Sequence, residues 1–100
     1  MRYIVNNKIL TVFIKGELDE CTAPKIKKEL DQILDENFFC EKVVFDLSGL
    51  TFMDSTGIGL LIGRYKKLKD VNVKSYVQGA SNSAEKVLEI SGIYRIMPKF

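Results

Sequence analysis

Histidine is absent from all 100 residues, which removes the commonest general base. A Ser-His-carboxylate nucleophile cannot be assembled without it. A Ser-Lys variant is also disfavoured, because Lys66 lies about three helical turns from the one serine of interest, Ser55. There are only two cysteines, Cys21 and Cys40. They form no CxxC pair and have no histidine to complete a common zinc set, so both read as reduced thiols of a cytoplasmic protein, with no metal. Tryptophan is missing, the net charge is only +2, and no RNA-type aromatic motif occurs. The basic cluster Arg64, Lys66, Lys67 and Lys69 therefore reads as a solvated helix end, not as a nucleic-acid patch. Long apolar runs are lacking too: residues 58–63 are far too few to span a bilayer, and Met1-Arg2-Tyr3-Ile4 opens with no signal core.

What remains is 46% hydrophobic and 28% charged, a composition that suits one compact domain over residues 1–100. At this length folding buries roughly 60–68% of the extended chain's surface, enough for a core without staples. Residues 3–5 and 8–15 read as a hairpin turning at Asn6-Asn7, since Asn tolerates the positive φ of a tight turn. Gly16-Glu17-Leu18-Asp19 is expected to leave the sheet. Thr22 reads as an N-cap, with Pro24 in the first turn of a helix that buries Ile26, Leu30, Ile33 and Leu34 and ends at Asn37.

The chain is organised around residues 41–61. Val43-Val44-Phe45 has no polar alternation, the pattern of a strand buried on both faces. A polar turn follows. Then Ile58, Leu61, Ile62, Tyr65 and Leu68 make one helical stripe. Ser55 thus falls at a helix N-terminus, where unpaired N–H groups and the dipole favour negative charge. Its plain reading is an N-cap, and its sharper reading a phosphoacceptor. Asp19 and Asp54 read as a loop carboxylate and a helix cap. Gly57, Gly59 and Gly63 miss the GxGxxG spacing by one residue, so they read as a crowded turn plus close packing at Gly59 and Gly63.

Residues 71–77 alternate as a shorter strand toward a sheet edge. Asn82 and Glu85 are spaced as a capping box for a third helix burying Ala84, Val87 and Leu88, and Ser91-Gly92 ends it. Strand, helix, strand in this order implies a right-handed crossover with strand three parallel to strand two. The expected class is α/β: a small four-stranded mixed β-sheet flanked by three to four α-helices. Its polar turns after strands two and three lie where sites collect in open α/β sheets.

Asp46-Leu47-Ser48-Gly49 followed by Phe52-Met53-Asp54-Ser55-Thr56-Gly57-Ile58-Gly59 resembles the signature of bacterial anti-sigma factor antagonists of the STAS fold. The likeness continues through Gly16-Glu17-Leu18-Asp19, Gly63-Arg64-Tyr65-Lys66 and Ile90-Ser91-Gly92-Ile93-Tyr94, and is nearest to the sporulation-type members. The resemblance implies a regulatory binding protein and not an enzyme. Its unphosphorylated form would bind an anti-sigma factor with serine kinase activity and release the sporulation sigma factor held there. Ser55 would be the phosphorylated residue. Asp19, Asp54, Ser55, Thr56 and Gly57 would form the partner-binding surface, and a serine phosphatase would reset the switch. ATP and magnesium would belong to the kinase, so no cofactor is expected of this chain. The alternative is a STAS scaffold, or a sensor of a nucleotide or other small ligand, in a stress-signalling complex.

Overall fold

A two-residue turn at Asn7 and Lys8, both at positive φ, joins β1 (Arg2–Asn6) to β2 (Ile9–Leu18). The turn sits one residue later than Asn6-Asn7, so a lysine occupies a left-handed position. The computed structural model describes residues 1–100 and continues with α1 (Ala23–Glu36), β3 (Lys42–Met53), α2 (Ser55–Lys69), β4 (Lys74–Gln78) and α3 (Asn82–Ser91). A single 3-10 turn, Ile93–Arg95, follows. The sheet order is β1-β2-β3-β4, with β1 antiparallel to β2 and the other pairs parallel. Three α-helices and a four-stranded mixed sheet agree with the expected class.

Both crossovers advance across the sheet in the same direction, and right-handed connections then place α1 and α2 on one face. Leu10, Val12 and Ile14 of β2 alternate onto that face with Val43, Phe45 and Leu47 of β3 and Val77 of β4. They meet Ile26, Leu30, Ile33 and Leu34 of α1, Ile58, Leu61 and Leu68 of α2, and Ala84 and Leu88 of α3 in one core. Ile62, Tyr65 and Val87 pack partly buried against it. The opposite face of the sheet carries no helix.

Several boundaries differ from the sequence expectation. Gly16, Glu17 and Leu18 do not leave the sheet, and β3 runs on through Ser48–Met53 where a polar turn is expected. The pairing explains this. Phe13 pairs with Asp46 and Lys15 with Gly49, then Gly16 with Leu50 and Glu17 with Phe52, so β3 carries one extra residue at each of two bulges. Bulges break the period of two, and Leu47, Leu50 and Met53 are buried at a spacing of three. A strand with that spacing mimics a turn.

At α3 the cap is Ser81, whose Oγ accepts from the Ala84 N–H at 3.3 Å, and not Asn82. Glu85 turns away from the helix start, accepting from the Tyr94 hydroxyl at 2.7 Å and pairing with Lys99 at 2.6 Å. These contacts lower the Glu85 pKa, first through the bond from Lys99 and then through that from Tyr94. They tie the C-terminal segment to α3 while Pro98 and Phe100 bond the outer edge of β4 at Val77. Cys21 is exposed, Cys40 is buried, and both are free thiols. No helix is long and apolar enough to cross a membrane.

Candidate functional site

The last paired residues of β2 and β3 are Leu18 and Met53. Each strand then ends on an aspartate, Asp19 and Asp54, and the Asp54 N–H donates to the Leu18 carbonyl at 3.3 Å. Two turns far apart in sequence are thereby set side by side at the carboxyl ends of parallel strands.

Asp19 organises the first turn. Its Oδ1 accepts from the backbone N–H groups of Cys21 at 2.9 Å and Thr22 at 3.0 Å. Thr22 Oγ1 accepts from the Asp19 N–H at 3.0 Å and donates to the Glu17 carbonyl at 2.7 Å. Thr22 occupies the N-cap position of α1 but caps no helical N–H with its side chain. Its hydroxyl closes the loop behind it instead, because Asp19 already fills the capping role.

Asp54 governs the second turn. It is the N-cap of α2 in extended conformation, and its Oδ1 accepts from the Thr56 N–H at 2.9 Å. The capping reading of Ser55 is therefore overturned: Ser55 is the first helical residue, exposed, with its hydroxyl free. A hydroxyl there stands beside the unpaired donors of a helix start and needs no conformational change to be reached. Thr56 is half-buried and Gly57 buried.

Gly57 is a packing residue. A Cβ at that position would stand 2.6 Å from Met53 Cγ and 3.0 Å from Leu18 Cδ2, so glycine lets the first turn of α2 press onto the pair that closes the two strands. Gly59 and Gly63 are the reverse. A Cβ on either meets nothing within 4 Å, so the close packing expected of them does not occur.

Two residues of the framework have roles that differ from their sequence reading. Arg64 is not part of a solvated helix end: its Nε lies 3.0 Å from Asp31 Oδ1 of α1, with the side chain almost wholly buried. Asp46 sits in the sheet, in the middle of β3. Its Oδ1 accepts from the Ser48 N–H at 2.9 Å and the Ser48 hydroxyl at 2.5 Å, and its Oδ2 accepts from Gln78 Nε2 at 2.8 Å. Burial pushes its pKa up, but the Ser48 and Gln78 hydrogen bonds, with the Arg2 charge, bring it below the ordinary carboxylate value. The strand expected over residues 41–47 includes Asp46, but its partner Gln78 lies 32 residues away on another strand, which no local pattern shows.

The arrangement offers an exposed hydroxyl at a helix start, flanked by two carboxylates engaged in capping their own turns. No group of three or more His, Cys, Asp or Glu side chains is assembled that could hold a metal ion.

The STAS domain family matches the chain over residues 1–100. The anti-sigma F factor antagonist of Paenibacillus polymyxa is 33% identical over 90 residues, covering 90% of this chain and 76% of that protein. The anti-sigma-B factor antagonist of Listeria monocytogenes is 31% identical over 88 residues, covering 88% and 75%. Among solved structures, the anti-sigma factor antagonist SpoIIAA in its unphosphorylated form superposes with a TM-score of 0.79 at 24% identity, over 99% of this chain and 86% of that one. The Bacillus cell fate determinant SpoIIAA in its phosphorylated form gives 0.70 at 24% identity, over 99% and 89%. With a whole-chain family match and relatives above 30% identity, the chain belongs to the STAS-domain family of anti-sigma factor antagonists.

Proposed function

We propose that this chain works as an anti-sigma factor antagonist whose unphosphorylated form binds an anti-sigma factor with serine kinase activity and frees the sigma factor, and that phosphorylation of Ser55 ends this binding. The observation that carries the reading is the exposed Ser55 hydroxyl at the first position of α2, released from capping because Asp54 does that work. The names of the P. polymyxa and L. monocytogenes relatives support the antagonist role, and the SpoIIAA solved in a phosphorylated form supports modification in a protein of this fold. The sporulation sigma factor is the proposed beneficiary, with a serine phosphatase resetting the switch in the cytoplasm.

Charge explains how one group can act. A phosphate adds about −1.5 to −2 at neutral pH beside Asp54, and Asp19 lies in the adjoining turn. Within the chain the helix start stabilises it. A partner surface fitted to a neutral hydroxyl meets bulk and a concentrated negative charge. Gly57 keeps α2 seated on Leu18 and Met53 in either state, so the change stays local.

The test is intact-mass analysis and site mapping after incubating the chain with its anti-sigma kinase, ATP and magnesium, with Ser55→Ala alongside. One phosphate, at Ser55 and absent from the variant, is expected. Stable binding without phosphate would refute the switch.

A further inference from the structure

All three helices lie on one face of the sheet, yet parallel strands are almost always covered on both. Across the bare face runs one register row, Ile4, Thr11, Val44 and Tyr76. Phe100 extends it past β4, its ring meeting that of Tyr76 edge-on at 5.3 Å. Val44 in the middle is fully buried by its neighbours though no helix covers it, while Ile4 and Phe100 at the two ends are 47% and 57% exposed. The row is therefore open to a partner at its ends and closed at its centre.

Cations flank it on both sides. In the row toward the carboxyl ends of the parallel strands stands Arg2, its guanidinium 4.4 Å from the centre of the Phe13 ring. On the other side stand Lys42 and Lys74, paired in register. None of the three takes part in any ion pair of the chain. Asp46, the one acid in these three rows, accepts from Ser48 and Gln78 and lies within reach of the Arg2 charge, which leaves Lys42 and Lys74 with no acid facing them.

We propose that this face receives one amphipathic α-helix of a partner protein, its apolar stripe on the Ile4 to Phe100 row and its flanking Asp or Glu residues against Arg2 on one side and Lys42 and Lys74 on the other. Four strands spaced about 4.8 Å apart give a row of roughly 15 Å. A helix about 10 Å wide laid along this row brings its flanks to the cations. A second copy fits poorly, since it sets the same cations against one another with no free acid to answer them.

The test titrates the isotope-labelled chain with a synthetic helical peptide of about 16 residues, some 24 Å of helix, bearing Leu at i, i+3, i+4, i+7 spacing and Glu on both flanks. A twin peptide carries Lys for Glu. Amide shifts are expected at Ile4, Thr11, Val44 and Tyr76, with the Glu peptide preferred. Lys42→Glu combined with Lys74→Glu should weaken binding about tenfold, equivalent to about 1.4 kcal/mol. Ile4→Lys, on an exposed edge strand, should weaken it independently, with circular dichroism confirming that each variant folds. Equal binding of the Lys peptide, shifts confined to the helical side, self-association through this face, or tighter binding to phosphatidylglycerol vesicles or single-stranded DNA than to the Glu peptide would each overturn the proposal.

Discussion

Arg64 of α2 reaches across to α1 and places its Nε 3.0 Å from Asp31 Oδ1. The arginine side chain is 9% exposed and the aspartate 25%, and Lys27 and Lys67 approach the same carboxylate at 3.6 Å. Neither Arg64 Nε nor Nη1 finds an aligned acceptor, so the contact is one of charge more than of directed hydrogen bonding.

Stranding the buried arginine costs more than removing it, because Lys27 and Lys67 still answer Asp31 whereas Arg64 has no other acid. Asp31→Ala, which strands the Arg64 charge, should lose about 1–3 kcal/mol. Arg64→Met, which keeps the packing of the side-chain stem, should stay within about 1 kcal/mol of the parent. Urea unfolding of the two variants decides it, and the reverse order would refute the account.

The glycines of α2 separate by their surroundings. Gly57→Ala forces a Cβ into Met53 and Leu18 and should cost about 1–3 kcal/mol, the usual penalty of overpacking. Gly59→Ala enters open space on a helix and should stabilise by roughly 0.5–1 kcal/mol. Thermal melts of both provide the check. Weakened kinase binding by the stabilised Gly59→Ala would further place that helix face in the contact.

Asp46 predicts a pH dependence with a definite sign. Its carboxyl titrates below the ordinary value of 3.8 in the folded chain, so its stabilising contribution is complete above that value and is lost as pH falls through the folded value. Asp46→Asn should therefore be less stable than the parent at pH 7 by about 1.5–3 kcal/mol, the range for hydrogen bonds to a charged group. The gap should narrow once the solution is acidic enough to protonate Asp46. A gap independent of pH would show that shape, not charge, is what Ser48 and Gln78 read.

Capping and switching should separate at adjacent residues. Asp54→Ala loses the bond to the Thr56 N–H and should destabilise α2 by about 0.5–2 kcal/mol. Ser55→Ala removes a free hydroxyl and should leave unfolding within about 0.5 kcal/mol of the parent. In binding titrations with the anti-sigma kinase, Ser55→Ala should bind like the unmodified chain and Ser55→Asp poorly. Tight binding by Ser55→Asp would remove the electrostatic basis of the proposed switch.

By itself the sequence determined the element order, the parallel crossover from β2 to β3 and the place of Ser55 at the start of α2. Those follow from local signals: uninterrupted apolar residues in β3, helical spacing from Ile58, and Pro24 and Gly92 at helix ends. Tertiary structure alone decided which polar residue does which job. Asp54 and not Ser55 caps α2, Asp19 and not Thr22 holds the first turn, Ser81 and not Asn82 caps α3, and Arg64 turns inward to Asp31. Each is a choice between neighbours of similar propensity, settled by where the backbone points once the sheet has formed. The extent of β3 was hidden for a related reason, since two bulges replace alternation by a spacing of three, and a bulge is defined only against the partner strand that it mismatches.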